Sequence, residues 1–314
     1  MFLNPAYDPA AVPAASRDAL SFHLGLDGYA PTAVRMLSET VGVKDESNRF
    51  GLPAFKILGA SWAAERALRE NPGVHTLVAA SAGNHGRAVA RVAAMRGLRA
   101  RVFLPARALP ARRAAIAGEG AEVVVVDGTY EDAVARAAEE ARAPGCFELA
   151  DVGASGPAEW VIDGYATLFD ELREPWDVIL VPIGVGSLGA AAARHGAAAG
   201  ATVIGVEAET AACLTAALRA GEPVEIPTPG TIMAGLDCAI VSEAAWPSLR
   251  PGIRGTITVS DVETHAAMAE LADAGLSIGE SGAAPLAALP SLTFDGRVLL
   301  IATEGRTGVG VRPL

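Results

Sequence analysis

From about residue 74 onward this chain repeats one pattern, a short β-branched run followed by an alanine-rich stretch of helical period. The runs are VHTLVAA, RARVFLP, AEVVVVDG, CFELAD, WDVILVPIG, ATVIGVEAE, TITVSD and GRVLLIATEG. In the stretch GRAVARVAAMRGL, Ala88, Val89, Val92 and Ala93 share one helical face, and in TYEDAVARAAEEARA so do Ala133, Val134, Ala137 and Ala138. Strand, helix, strand repetition requires parallel sheets covered by helices, which predicts an α/β fold of two open, twisted, mostly parallel sheets. Gly, Ser and Pro cluster in ADVGASGPAEW, residues 150–160, and mark a boundary between two such blocks. In open parallel sheets ligands bind beyond the carboxyl ends of the strands, so the loops that follow these runs are where chemistry belongs.

Composition removes several function classes. With 51% hydrophobic and 19% charged residues over 314 positions, the chain can bury a substantial core. A net charge of −11 without a basic cluster argues against a nucleic-acid or anionic-membrane partner. The N-terminus MFLNPAYDPAAVPAASRDAL has no basic segment before an apolar run, and no stretch approaches 18 uninterrupted apolar residues, so the expectation is a cytoplasmic protein. Cys146, Cys213 and Cys238 share no metal-ligand spacing and read as buried thiols, and His23, His75, His195 and His265 stand alone, so no metal site is expected.

Of the 25 basic residues only Lys44 and Lys56 are lysines. Lys56 sits among Ala54, Phe55, Ile57 and Leu58. An amine there can lose its proton and attack a carbonyl, which a guanidinium cannot do, or it can simply snorkel from a helix start. Three loops bear on the choice. In SAGNHGRAVA the glycines Gly83 and Gly86 open a helix whose N-terminus, with Ser81, Asn84 and His85, suits a carboxylate or a phosphate; an ordinary capped helix reads the same way. In VILVPIGVGSLGAAAARHG a strand leads into Gly184-x-Gly186-x-x-Gly189 and a helix, and the next strand ends near Glu207, the pattern of a dinucleotide fold; such a turn also binds any phosphate. Thr303 in LLIATEGRTG follows an apolar strand, where a hydroxyl can face a ring nitrogen or merely turn the chain. A phosphate cradle, an anion-binding helix end, a neutral partner for a heterocycle and a potential Schiff-base amine together match what pyridoxal phosphate needs.

KDESNRFGLPAFKILGASWA, residues 44–63, resembles the cofactor-lysine segment of the diaminopropionate ammonia-lyases, within the tryptophan-synthase-β-like, or fold type II, pyridoxal-phosphate enzymes. GNHGRAVA, GVGSLG, TIMAGLDC, GESGAAPLAAL and ATEG resemble later segments of that family, so the similarity runs from about residue 31 to the C-terminus. The resemblance implies a large domain of residues 1–60 and 165–314, a small domain of residues 61–164, and a cofactor in the cleft between them. It implies that Lys56 forms the Schiff base and that Asn84 hydrogen-bonds the phenolic oxygen. Gly184, Val185, Gly186, Ser187 and Leu188 would hold the phosphate, and Thr303 would face the pyridine nitrogen, leaving it neutral. Ser81, Asn84 and His85 would receive the carboxylate of a small amino-acid substrate, and Asp151, where the lyases have an aspartate, would serve the leaving group. A homodimer is also implied.

Two departures stand out. The lyases carry an aspartate before GNHG and the related serine racemases a serine, each a base on the cofactor face opposite the lysine, whereas this chain has Ala82. The segment around Asp151 is shorter and lacks the lyases' aromatic residues, which leaves the leaving group open. The resemblance thus implies α,β-elimination giving a 2-keto acid and ammonia; the same residues would also serve a β-replacing synthase or a serine/threonine dehydratase. Glu207 and the glycine fingerprint keep a nicotinamide oxidoreductase as a remote alternative. In the lyases cysteines also occur near Cys213 and Cys238, where a disulfide or two thiols would fit.

Overall fold

Each of the eight β-branched runs becomes a strand, and three further strands precede them. In chain order these are β1 (Phe2–Leu3), β2 (Val34–Met36), β3 (Val41–Asp45), β4 (Thr76–Ala80), β5 (Arg99–Pro105), β6 (Glu122–Val126), β7 (Cys146–Glu148), β8 (Val178–Pro182), β9 (Thr202–Ala208), β10 (Ile253–Val259) and β11 (Val298–Ala302). The computed structural model describes residues 1–294 and 296–306. It divides into two units, one of Met1–Phe55 with the chain from Tyr165 onward, the other Lys56–Gly164. The first division falls after Phe55, ahead of the 60/61 boundary drawn from the sequence, because Lys56 is already the cap of a helix, Ile57–Glu70, that belongs to the second unit.

The larger unit holds a seven-stranded sheet in the order β1-β10-β9-β8-β11-β3-β2. Its five inner strands are parallel, and the edge strands β1 and β2 run antiparallel to their neighbours. Leu300 of β11 lies between Val43 and Leu180 in register, and all three are buried with Ile204, Ile257 and the helices Asp261–Asp273 and Glu280–Ala288 in one apolar core. Strands covered on both faces need apolar residues at consecutive positions, which is why VILVP and VLLIA show no alternation. The smaller unit has four parallel strands in the order β6-β5-β4-β7. Its helix Asn84–Met95 buries Ala88, Val89, Val92 and Ala93 as the period requires. In the helix Tyr130–Glu140, opened by a capping box between Thr129 and Asp132, Ala133 and Ala137 are buried but Val134 is exposed. Full burial on that helix is confined to the i, i+4 pair Ala133 and Ala137. Among the described residues no helix is long and apolar enough to cross a membrane.

The chain approaches Lys56 through a buried network of charges within the larger unit. Arg49 places Nε and Nη2 on the two oxygens of Glu46, at 2.9 and 2.6 Å, and Nη1 on Glu171 Oε1 at 2.7 Å. Lys44 Nζ donates to Glu171 Oε2 at 2.5 Å and to the Thr32 carbonyl at 2.9 Å, and the Tyr29 hydroxyl donates to Glu171 at 2.6 Å. Lys44, Glu46 and Arg49 are fully buried. Burial works against the Glu171 carboxylate, yet the Arg49 and Lys44 cations outweigh it and hold its pKa below the usual range. The same burial and the Glu171 charge push the Tyr29 hydroxyl up. Immediately after Arg49 the chain reverses through Phe50 and Gly51, both at positive φ, with Arg49 and Leu52 exchanging backbone hydrogen bonds at 2.8 and 3.0 Å. A non-glycine residue at φ 54° is held there by its surroundings. Removing one member should expose how much that matters: Glu171→Ala leaves two buried cations short of a partner and is expected to cost about 3–5 kcal/mol in urea unfolding. A loss below about 1 kcal/mol would show that the network is not what pins this segment.

Candidate active site

Lys56 occupies the N-terminal cap of the helix Ile57–Glu70. A cation at that end opposes the helix dipole, so the position is unfavourable unless an anion compensates. Asp151, 95 positions further on, supplies the anion: its Oδ2 lies 2.8 Å from Lys56 Nζ. The two side chains keep 23% and 18% of their surface exposed, so the amine is sheltered but reachable. Burial alone would raise the Asp151 carboxyl, but the His85 and Lys56 charges overcome it and hold the group well below the usual carboxylate range. No spacing in the sequence announces this pair.

The loop SAGNHG lies in the same unit, between β4 and the helix Asn84–Met95. Gly83 is the cap and Asn84 the first helical residue, while Ser81 Oγ accepts the Gly83 N–H at 3.3 Å. His85 follows with its ring buried. Its Nε2 donates to the Leu149 carbonyl at 2.7 Å, and its Nδ1 lies 3.8 Å from Asp151 Oδ2. The ring is therefore turned toward a carboxylate already in place and is not presented to a second one. Of the three residues expected to receive a substrate carboxylate, this geometry leaves Ser81 and Asn84, with the first-turn amides beside them.

In the larger unit the glycine turn Gly184–Leu188 follows β8. Gly186, at φ 96°, caps the helix Ser187–Ala199, whose first intrahelical bond runs from Ala190 to Gly186. The amides ahead of that bond face the turn, a geometry that accepts a phosphate. A Cβ on Gly184 would stand 2.4 Å from the Gly235 carbonyl and 3.2 Å from Cys238 Sγ, so only glycine fits beneath the TIMAGLDC segment. Gly235 in turn donates its N–H to Ser281 Oγ at 3.0 Å, and Ser281 donates its own to Glu304 Oε1 at 3.2 Å. The segments GVGSLG, TIMAGLDC, GESG and ATEG thus meet around one turn. Thr303, buried at the end of β11, accepts the Phe55 N–H at its carbonyl, 3.4 Å away, and Ala54 bridges Glu304, so the residues leading to Lys56 run antiparallel to 303–305. The donor set fits pyridoxal phosphate: an accessible amine, a phosphate turn and a hydroxyl at a strand's carboxyl end.

Glu207 does not complete a dinucleotide site. It is fully buried, and its carboxylate accepts from Leu214 N–H at 2.6 Å, Thr215 N–H at 3.0 Å and Thr215 Oγ1 at 2.6 Å, capping the helix Cys213–Ala220. A ribose cannot reach it. None of the three cysteines is in a disulfide, and only Cys213 is buried; its Sγ donates to the Gly184 carbonyl at 3.4 Å, and burial with the neighbouring Glu207 pushes the thiol up. Burial outweighs the three donors on Glu207 and raises its carboxyl from 4.5 to about 7. A carboxyl raised on folding binds its proton more tightly in the folded state, so its contribution to stability is full below 4.5 and is lost as pH rises through about 7. Glu207→Gln should accordingly shrink the stability difference between pH 5 and pH 8, measured by urea unfolding, by on the order of 2 kcal/mol. An unchanged slope would place the titrating group elsewhere.

The chain is 30% identical to the diaminopropionate ammonia-lyase of Escherichia coli K12 over 98% of its own length and 92% of the relative's. The biosynthetic L-threonine dehydratase of Escherichia coli K12 is 32% identical over 81% of this chain and 49% of the dehydratase. The structure of the Escherichia coli diaminopropionate ammonia-lyase in complex with an aminoacrylate-PLP azomethine reaction intermediate superposes with a TM-score of 0.88 at 29% identity, over 98% of this chain and 94% of that one. Residues 27–304 match the family of pyridoxal-phosphate dependent enzymes, and with the amine, the phosphate turn and the strand-end hydroxyl all present, the chain belongs to that family.

Proposed function

We propose that this protein is a pyridoxal-phosphate lyase that carries out α,β-elimination on a small L-amino acid, with 2,3-diaminopropionate or a close analogue as substrate and a 2-keto acid and ammonia as products. The observation that carries the reading is Lys56 Nζ held 2.8 Å from Asp151 Oδ2, a reactive amine beside a group that can serve the leaving substituent. Lys56 would hold the cofactor's aldehyde, Asn84 its phenolic oxygen, Gly184, Val185, Gly186, Ser187 and Leu188 its phosphate, and Thr303 would face its ring nitrogen. When bound, pyridoxal phosphate draws electron density from the substrate's α-carbon and so loosens the α-hydrogen. Lys56, displaced by the substrate and neutral, takes that proton at Nζ. Ser81 and Asn84 hold the substrate carboxylate at the helix end, where the dipole favours an anion. Asp151 rests ionised, and its charge favours a proton shared with a basic β-nitrogen, which leaves as ammonia. That preference supports a β-amino leaving group over a hydroxyl. A serine/threonine dehydratase is the second reading, supported by the likeness to the threonine dehydratase, and a β-replacing synthase would use the same residues. A homodimer in the cytoplasm belongs to the reading through the resemblance.

Ala82, in the loop before Asn84, has no titratable group, so proton exchange at the α-carbon is confined to Lys56. Two results should follow. Lys56→Ala is expected to lose the visible absorbance that the wild type gains with pyridoxal phosphate, and elimination should fall by about a thousandfold or more. A wild type that stays colourless with the added cofactor would overturn the assignment. With 2,3-diaminopropionate, serine, threonine and O-acetylserine supplied in both configurations, with and without thiol or amine acceptors, keto acid and ammonia should form from L-diaminopropionate at least about a hundredfold more efficiently than from the D form. Efficient, Lys56-independent turnover of the D form would remove the role given to Ala82, and a new amino acid in place of keto acid would favour the synthase.

A further inference from the structure

His85 has two ring nitrogens in different surroundings, and only one is accounted for by the fold. Nε2 donates to the Leu149 carbonyl at 2.7 Å, and because a carbonyl only accepts, that nitrogen must carry a proton. Nδ1 is buried, has no hydrogen-bond partner and lies 3.8 Å from Asp151 Oδ2. The ring as a whole is 4% exposed. A neutral His85 would aim the buried Nδ1 lone pair at the lone pairs of a mostly buried carboxylate, which is repulsive. The arrangement becomes favourable when one proton occupies that gap, as Nδ1–H toward Asp151 or as the Asp151 acid toward Nδ1. His85 and Lys56 both act on the Asp151 charge, and the contacts of both run to Oδ2. With the Lys56 amine engaged elsewhere, the His85 ring still faces the carboxylate.

We propose that His85 and Asp151 share one proton, and that this proton passes through Asp151 to the leaving group. Resting on the lyase reading above, the step balances as follows. The Cβ–N bond breaks with its electron pair staying on the nitrogen, which arrives as an amine and takes a proton from Asp151. Asp151 takes the Nδ1 proton of His85, which is left neutral with Nε2–H still on Leu149, and Nδ1 recovers a proton from water after ammonia departs. A gap of 3.8 Å is longer than a hydrogen bond and closes by a small rotation of the partly exposed carboxylate. His85 acts through Asp151 and is a positioning residue for the proton.

Two variants separate this role from a structural one. His85→Gln can keep a donor to the Leu149 carbonyl and His85→Asn can keep an amide facing Asp151, but neither yields a proton. Both are expected to lose about a hundredfold in kcat on 2,3-diaminopropionate, and at least about tenfold less on β-chloroalanine, whose chloride leaves without a proton. The pH profile of kcat on diaminopropionate should differ between the wild type and both variants. In the cofactor-free protein, imidazole nitrogen NMR should show proton on Nε2 throughout, and Asp151→Asn should make Nδ1 lose its proton at lower pH than in the wild type, since a neutral amide no longer favours the cation. Equal losses on the two substrates, or an Nδ1 titration unmoved by Asp151→Asn, would overturn the proposal. A wild type that eliminates neither substrate would instead overturn the lyase reading, and the NMR result would still decide the proton pair.

Discussion

The segment that delivers Lys56 is held by a guanidinium fork closed on two buried carboxylates. Arg49 spans Glu46, three residues before it, and Glu171, from the far part of the chain, and Lys44 completes the charge balance. These side chains are sealed from the surface, so each charge depends on the others keeping their positions. The geometry is directional as well as strong, because a planar guanidinium accepts only a few arrangements of carboxylate. From this fixed point the chain reverses through Phe50 and Gly51, runs beside residues 303–305 and arrives at Lys56. Phe55, the last residue of the larger unit before Lys56, thus inherits its position from a rigid anchor.

Close backbone approach does the corresponding work around the glycine turn Gly184–Leu188. Gly184 lies beneath the Gly235 carbonyl, Gly235 is tied to Ser281, and Ser281 to Glu304. Each contact needs a small residue or a short polar side chain at one position. The recurring glycines and serines in GVGSLG, TIMAGLDC and GESG are therefore explained by packing around the turn as much as by contact with a ligand. Cys213, donating to the Gly184 carbonyl from the far side, closes the same turn.

Much of this was legible beforehand because it is local. The eight runs from β4 to β11 are short, apolar and bounded by turn residues, and they formed strands in the places their composition indicated. The strand β3 escaped because VGVKD carries a lysine and an aspartate; what makes it a strand is its place between β2 and β11, and what makes Lys44 tolerable is Glu171. The rarity of lysine drew attention to two positions, and it had two physical causes. Lys44 is a compact ammonium fitted between a carboxylate and a carbonyl beside Arg49, and Lys56 is an amine paired with Asp151 at a helix end. Glu207 matched a nucleotide pattern by spacing alone and proved to be a helix cap, since spacing carries no information on whether a carboxylate keeps its water.

The sequence by itself determined the alternation of strand and helix, hence parallel sheets, and the kinds of residue able to hold an aldehyde, a phosphate and a ring nitrogen. These follow from periodicity and chemical type, which are properties of neighbouring residues. Only the tertiary structure decided that Asp151 faces Lys56, that the His85 ring turns to Asp151 and Leu149, and that Glu207 and Lys44 lose all contact with water. Each of those outcomes depends on which polar groups, distant along the chain, are desolvated together, and desolvation is set by the packing of whole elements.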